Sequence, residues 1–316
     1  MRRALPIVVV LVVLLAAIAV ANPFFLEPAG FLGFLKRAAP LVILAAGQYF
    51  VIVSGEFDLS VGSLVTAEVV IAARLIDGDE SATWPVLALL IVIGLLVGLV
   101  NGVVTTKLRV PSFIVTLGML LVLTGAVFLW TGGAPRGALS EGFRMFGRGG
   151  LGPLPWSVLI LLAMGAAAIW LTRTDFGRTL IAVGDNERAA ALSGVRVDRA
   201  KIFAFMLSGL AAAVAAVLLG GFAGVSAQAG QGLEFSAITA VVLGGVALGG
   251  GRGSVPAALA GAFTLEALFT LLNLYGISGA LESTVQGVII IAAVAAGAVR
   301  LPWKFTPRRG DAHAAS

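Results

Sequence analysis

The sequence predicts an all-α, polytopic membrane protein with about ten transmembrane helices. Three observations carry that prediction: a low charge fraction, repeated apolar runs of membrane-crossing length, and basic residues sorted onto alternate connections. Of 316 residues, 59% are hydrophobic and 12% charged, with a mean hydropathy of +1.06. Soluble proteins carry about 25% charged residues, and half that cannot coat a water-exposed surface. At about 20 residues per span, ten helices use about 200 residues and leave room for connections. These numbers exclude a soluble globular domain, a disordered chain and a disulfide-stapled module. The absence of cysteine removes thiol chemistry and cysteine-ligated metal.

The first apolar run, Leu5 to Ala21, follows Arg2 and Arg3. Its Ala19-Val20-Ala21 ending leaves signal-peptide cleavage as an alternative, but the run is long enough to cross and is taken as the first span. Nine more spans are expected at 38–53, 58–76, 84–104, 112–130, 156–172, 202–222, 236–250, 255–272 and 284–299. Several are short or interrupted by glycine, so they are tilted, broken or buried against neighbours that pair their backbone groups.

Charge placement tests the count independently. With the N-terminus inside, the internal bases are Arg2, Arg3, Lys107, Arg109, Arg173, Arg178, Arg188, Arg196, Arg199, Lys201, Arg252, Arg300, Lys304, Arg308 and Arg309. The external ones are Lys36, Arg37, Arg74, Arg136, Arg144 and Arg148. Acidic Asp77, Asp79 and Glu80 also fall outside. This positive-inside bias favours an even topology with both termini cytoplasmic, including a short basic-to-polar tail at 300–316. Spans two to five and seven to ten have similar spacing and would enter from opposite sides, an inverted repeat of the kind common in transporters.

The polar interruptions are the candidate sites. Ser54-Gly55-Glu56-Phe57-Asp58-Leu59-Ser60-Val61-Gly62-Ser63 breaks two apolar runs. Asp58 or Ser60 can cap the following helix, and the glycines permit turning; the same residues are candidates for the mouth or gate of a pathway. Glu68 and Glu266 lie within expected spans, where a carboxylate is costly unless protonated, paired or facing water. Neither has an evident intramembrane cation in the sequence. Asn101-Gly102 and Lys107 to Phe113 mark an internal connection, with Pro111 in the first turn of the fifth span. The stretch 131–155 is the longest external one: a surface for an external partner, or a solvated loop.

Residues 173–201 join spans six and seven on the cytoplasmic side, with six bases and four acids. Within them, Gly184 to Gly194 reads as a short helix started by Asp185 or Asn186 and stopped by Gly194. A mixed-charge helix lodged between spans can dock a cytosolic protein; the plainer alternative is a surface helix. The glycines of 243–254 invite a phosphate-loop reading, but no Gly-Lys-Ser/Thr ending and no preceding strand are present. ATP, if used, requires a partner.

Taken in order, the 54–63 segment, Asn101-Gly102, Val110-Pro111-Ser112-Phe113-Ile114-Val115-Thr116-Leu117-Gly118, Leu129 to Gly133, Thr174-Asp175-Phe176-Gly177-Arg178, Ala182 to Ala190 and the 243–254 glycines resemble the permease subunits of bacterial ABC sugar importers, the family of ribose, xylose, arabinose and galactose permeases. The resemblance runs from about 38 to 299. It implies a homodimer or close heterodimer of permeases in the inner membrane, with a pathway at the subunit interface. It also implies two cytosolic ATPases that use ATP and Mg, and an external sugar-binding protein. No nucleic-acid partner and no cofactor on this chain are expected.

By the same resemblance, 173–201 is the ATPase-coupling loop, with Arg178, Gly184, Asp185, Asn186, Glu187, Arg188, Ala189 and Ala190 as its coupling residues. Glu56, Asp58, Ser60, Glu68, Asn101 and Glu266 are pathway or gate candidates. Glu56 departs from the family, which often has glycine there, and this weakens an assignment to ribose specifically. The expected function is inward transport of a monosaccharide by alternating access, with no covalent chemistry on this chain. Alternatives are the same machine carrying a nucleoside, polyol or other small polar solute, an ion-coupled transporter, and a structural membrane protein.

Overall fold

The computed structural model describes residues 5–277 and 279–298. The tail at 300–316 and the terminal bases Arg2, Arg3, Arg300, Lys304, Arg308 and Arg309 lie outside the described residues. Among the described residues the regular structure is helical, including two short 3-10 turns at Pro23–Leu26 and Glu80–Ala82, apart from one two-stranded hairpin, β1 (Gly150–Leu151) and β2 (Leu154–Pro155). In order, the helices are α1 (Leu5–Ala21), α2 (Pro28–Val53), α3 (Val61–Ile76), α4 (Thr83–Lys107), α5 (Ser112–Thr131), α6 (Glu141–Arg148), α7 (Trp156–Arg173), α8 (Asp175–Asp185), α9 (Glu187–Leu192), α10 (Val197–Ala223), α11 (Leu233–Leu243), α12 (Val255–Leu274) and α13 (Ala280–Ala298). Six of them, α2, α4, α5, α7, α10 and α12, are long and apolar enough to cross a membrane. The protein is a multi-pass membrane protein.

Helices α2 and α10 form the centre. Residues 38–53 of α2 are buried throughout, and α10 buries Ala204, Phe205, Ala211, Ala212, Ala215 and Ala216 among others. Helix α4 rests on α10 along Gly94, Gly98 and Gly102, one face at i, i+4, i+8. A methyl on any of them would strike the α10 backbone at Gly209, Phe205 or Ile202. Small residues at this spacing let two backbones approach closely where lipid supplies no hydrophobic drive between helices.

Several boundaries differ from expectation, among them the start of α10, which lies at Val197 and not 202, so that Lys201 is helical. The second span starts at Pro28, ten residues before the expected 38, so Lys36 and Arg37 are helical and not in a connection. The helix tolerates them near its end: Lys36 Nζ donates to the Arg148 carbonyl at 3.1 Å and lies 5.4 Å from the Phe222 ring centroid. The span expected at 236–250 ends at Leu243, because Gly245, Gly250 and Gly251 take positive φ, which a helix cannot continue through. The span expected from 58 starts at 61. The stretch 131–155 is not merely a solvated loop. It contains α6, capped by Ser140 accepting from Phe143 N at 3.2 Å, and Phe143 is completely buried.

Two of the expected spans fold as helices too short to cross alone. With 16 residues α3 is about 24 Å long, and with 11 residues α11 is about 16 Å, against about 30 Å of hydrocarbon. Each is preceded by a non-helical break, 54–60 before α3 and 224–232 before α11. The breaks enter from opposite ends of the bundle. Residues 54–60 leave the end where α2 stops, and 224–232 leave the end where Arg148 holds the Phe222 carbonyl at 3.2 Å. They converge where α3 and α11 begin. Gly230 N donates to Thr66 Oγ1 at 2.9 Å, and a methyl on Gly62 would overlap both the Gly230 carbonyl and the Glu234 carboxylate. Irregular backbone at such depth persists only where protein partners pair it.

Candidate functional site

At the end where α2 stops, three chain segments meet. Gly184, near the end of α8, sits so close that a side-chain carbon there would overlap the Val53 carbonyl and the Gly251 nitrogen. Gly251 N donates to that same Val53 carbonyl at 2.9 Å. A methyl on Gly250 would lie 2.8 Å from Gly55 N and 2.9 Å from Gly184 Cα. Glycine is required here by contact, with backbone resting on backbone. Lys201 of α10 closes the ring: its Nζ is 2.7 Å from Glu56 Oε1 and 2.8 Å from Glu187 Oε2. Its side chain is 8% exposed, against 15% for Glu56 and 60% for Glu187.

Helix α8 reaches this ring because Phe176 packs between Phe50 of α2, centroid to centroid 6.0 Å, and Phe203 of α10, 5.0 Å. The expected short helix is present as α9. Asn186 is its cap, accepting from Ala189 N at 2.9 Å, and Gly194 follows it with positive φ. The extended backbone of Asn186 separates α8 from α9. Val183 and Ala190 point inward with Val197. Asp185, Asn186, Glu187, Arg188, Ala189 and Leu192 are exposed, and Leu192 is 84% exposed. Among the described residues, the polar contacts of Arg178 are local, to Asp175 at 3.6 Å and to the Arg173 carbonyl at 3.4 Å.

The 54–60 break is clamped on every side. Asp58 Oδ1 accepts from Ser60 N at 3.0 Å and from Ser60 Oγ at 2.6 Å. Asn101 Nδ2 of α4 donates to Ser60 Oγ at 2.9 Å. Oriented to satisfy its hydrogen bonds, the Gln48 amide of α2 brackets the Asp58 main chain, 3.3 Å from its carbonyl and 3.3 Å from its nitrogen. From α5, Ser112 Oγ accepts from Phe57 N at 3.1 Å, and Thr116 Oγ1 donates to the Phe57 carbonyl at 3.3 Å. Gln48, Asp58, Ser60, Asn101 and Thr116 are all essentially inaccessible. Among the described residues Asn101 Oδ1 is left without a partner, but the remaining bonds of so dry a network specify one backbone path.

The two intramembrane carboxylates part company. Glu68 is completely buried on α3, and neither oxygen has a hydrogen-bond partner among the described residues. Glu266 lines a cavity of about 390 Å³ with Arg37, Glu282, Ser236 and Gln286, where Gln286 Nε2 donates to Ser236 Oγ at 2.9 Å. The sequence showed no cation for Glu266 because Arg37 was expected in a connection; the longer α2 brings it into the same cavity. Lys201 was counted among the internal bases and as the last residue of the 173–201 loop, with no pairing role, and Gln48, Ser112 and Thr116 were not singled out for function. A lysine at the root of a long apolar helix was the one available signal for Lys201. Among the described residues, no group of three or more His, Asp or Glu side chains is arranged to hold a metal.

A bundle of apolar helices, broken where two chain segments converge and fitted at one end with a clamped, outward-facing helical pair, defines a membrane permease. Residues 30–294 match the family model described as branched-chain amino acid transport system / permease component. The chain is 38% identical to the ribose import permease protein of Bacillus subtilis over 90% of this chain and 89% of that one. It is 37% identical to the ribose import permease protein of Escherichia coli K12 over 90% and 91%. To the autoinducer 2 import system permease protein of an Enterobacter species it is 36% identical over 80% and 74%. No solved structure matches. The chain belongs to this family of bacterial ABC importer permease subunits, the family its motifs resemble.

Proposed function

We propose that the chain is the membrane-spanning subunit of an ABC importer for a monosaccharide or closely similar polyol, worked by alternating access. One observation carries the reading: the Gly184, Val53, Gly251 contact, tied by Lys201 to both Glu56 and Glu187. It joins an exposed docking segment to the two loops, 54–60 and 244–254, that border the short helices α3 and α11. Force applied to α8 and α9 by a closing ATPase pair is delivered through backbone contacts that cannot compress. The break at 54–60 moves with it, and α3 moves against the 224–232 break it touches.

In this reading the clamped end is cytoplasmic, spans two to five and seven to ten form an inverted repeat, and ten spans complete the count. Asp185 to Leu192 presents the ATPase-docking face. Glu56, Asp58, Ser60 and Asn101 are gate-positioning residues, while Glu68 and Glu266 stand apart from that clamp. Sugar cargo is supported by the ribose and autoinducer 2 permeases among the relatives. A second permease copy, two ATPases using ATP and Mg, and an external binding protein complete the machine.

The test is reconstitution in liposomes with the ATPase and binding protein from the same operon. Uptake of labelled D-ribose and related sugars should require ATP and the ATPase. Uptake that runs on an ion gradient with the ATPase absent contradicts the reading.

A further inference from the structure

Where the two breaks converge, the structure encloses a cavity of about 310 Å³, within the range of small-ligand sites. Its polar lining is Ser63 and Thr66 of α3, Thr124 of α5, Gln228 and Gln231 of the 224–232 break, and Glu234 of α11. Glu234 is 7% exposed, and among the described residues its Oε2 has no hydrogen-bond partner. That oxygen occupies the space left by Gly62, whose missing side chain would collide with it.

Two of the hydroxyl donors in this wall are already committed. Thr66 Oγ1 donates to the Gly62 carbonyl at 3.2 Å, and Ser63 Oγ donates to the Ser60 carbonyl at 2.8 Å. Toward the cavity both hydroxyls can therefore serve only as acceptors, and Thr66 Oγ1 already accepts from Gly230 N. The amides of Gln228 and Gln231 supply both donors and acceptors. No lysine or arginine lines the cavity. An acceptor-rich wall with no cation suits a neutral molecule that presents several O–H groups. A free amino acid would bring its carboxylate into the same space as Glu234 with nothing to neutralise it.

We infer that this cavity is a binding site on the transport path for a neutral polyol of monosaccharide size, with the Glu234 carboxylate accepting hydrogen bonds from its hydroxyls. The inference rests on the importer reading and adds the point of contact. The site spans the junction of α3 with the 224–232 break. Cargo is thereby held between the segment the ATPases would drive and the segment tethered to it through Gly230 and Thr66.

The test uses the complete importer in liposomes and compares initial uptake of D-ribose with its 2-, 3- and 5-deoxy analogues. Glu234→Gln should slow D-ribose uptake about tenfold, the scale of one charged hydrogen bond. At least one deoxy analogue should be slowed by a clearly smaller factor, because it lacks the hydroxyl the carboxylate receives. Ala227→Leu, which grows a loop side chain into the cavity, should slow every sugar about tenfold while the complex still copurifies. The inference is overturned if Glu234→Gln slows all four sugars by one factor or leaves them at wild-type rates. Wild-type uptake by Ala227→Leu overturns it as well, and this arm decides if Glu234→Gln does not assemble. A wild-type importer that hydrolyses ATP yet carries none of these sugars defeats the importer reading itself.

Discussion

The two breaks in the helical bundle are built by opposite means. Residues 54–60 are gripped by Gln48, Asn101, Ser112 and Thr116 from three helices, by an internal Asp58–Ser60 pair, and by Lys201 through Glu56. Residues 224–232 bond mostly to themselves: Ala229 N to the Ser226 carbonyl, Gln228 N to Ser226 Oγ, and Gln231 N to the Gln228 carbonyl. Among the described residues, beyond the terminal bonds they share with the flanking α10 and α11, their one hydrogen bond to a helix runs from Gly230 N to Thr66 Oγ1 of α3. A segment held from all sides moves only with its surroundings, whereas one tethered at a single point has a low cost of local opening. The first is suited to transmit force and the second to yield to it.

Breaking the rigid side should give the largest effects. Gly184→Val forces a branched side chain into the Val53 carbonyl and Gly251 backbone. It should destabilise by about 3 kcal/mol and abolish sugar-stimulated ATP turnover, read by thermal unfolding in detergent and by ATPase assay. Lys201→Met leaves Glu56 nearly buried without its cation. The expected cost is about 2–3 kcal/mol, below the range for a fully buried pair because Glu187 is 60% exposed. Adding Glu56→Gln should recover most of it. Asn101→Ala removes one bond to Ser60 in the dry clamp and should cost about 1–2 kcal/mol.

The yielding side predicts the smallest change in stability and a different readout. Thr66→Val cuts the single tether of 224–232 at about 1 kcal/mol. Hydrogen exchange at 226–231 should accelerate while α2 and α10 stay protected. Equal acceleration throughout the bundle would erase the contrast between the two breaks.

Much of this was legible in the sequence. The 54–63 segment and the 173–201 connection stood out because charge and glycine are scarce in the surrounding apolar chain, so each occurrence has to be explained locally. Asn186 and Gly194 gave both ends of α9 through capping chemistry that spans only a few residues. Lys201 was not legible as a bridge because Glu56 lies 145 positions away, and no local pattern encodes a pairing at that distance. The start of α2 was misplaced because Lys36 and Arg37 look like a boundary until Phe222 and the Arg148 carbonyl are brought beside Lys36 by the fold. The acceptor-rich cavity was equally hidden. Ser63 closed the polar 54–63 segment, Thr66 lay within an expected span and Glu234 fell before the span expected at 236, and only their convergence makes a site.

The central claim is that the docking segment and the 54–60 break act as one body through Lys201. Charge reversal tests it most directly, by measuring sugar-stimulated ATP hydrolysis in the reconstituted importer. Lys201→Glu should abolish stimulation by setting three carboxylates together, and adding Glu56→Lys should restore it to about half of wild type through the swapped pair. Stimulation that survives Lys201→Glu unchanged, or a double variant as inert as the single one, would contradict the account.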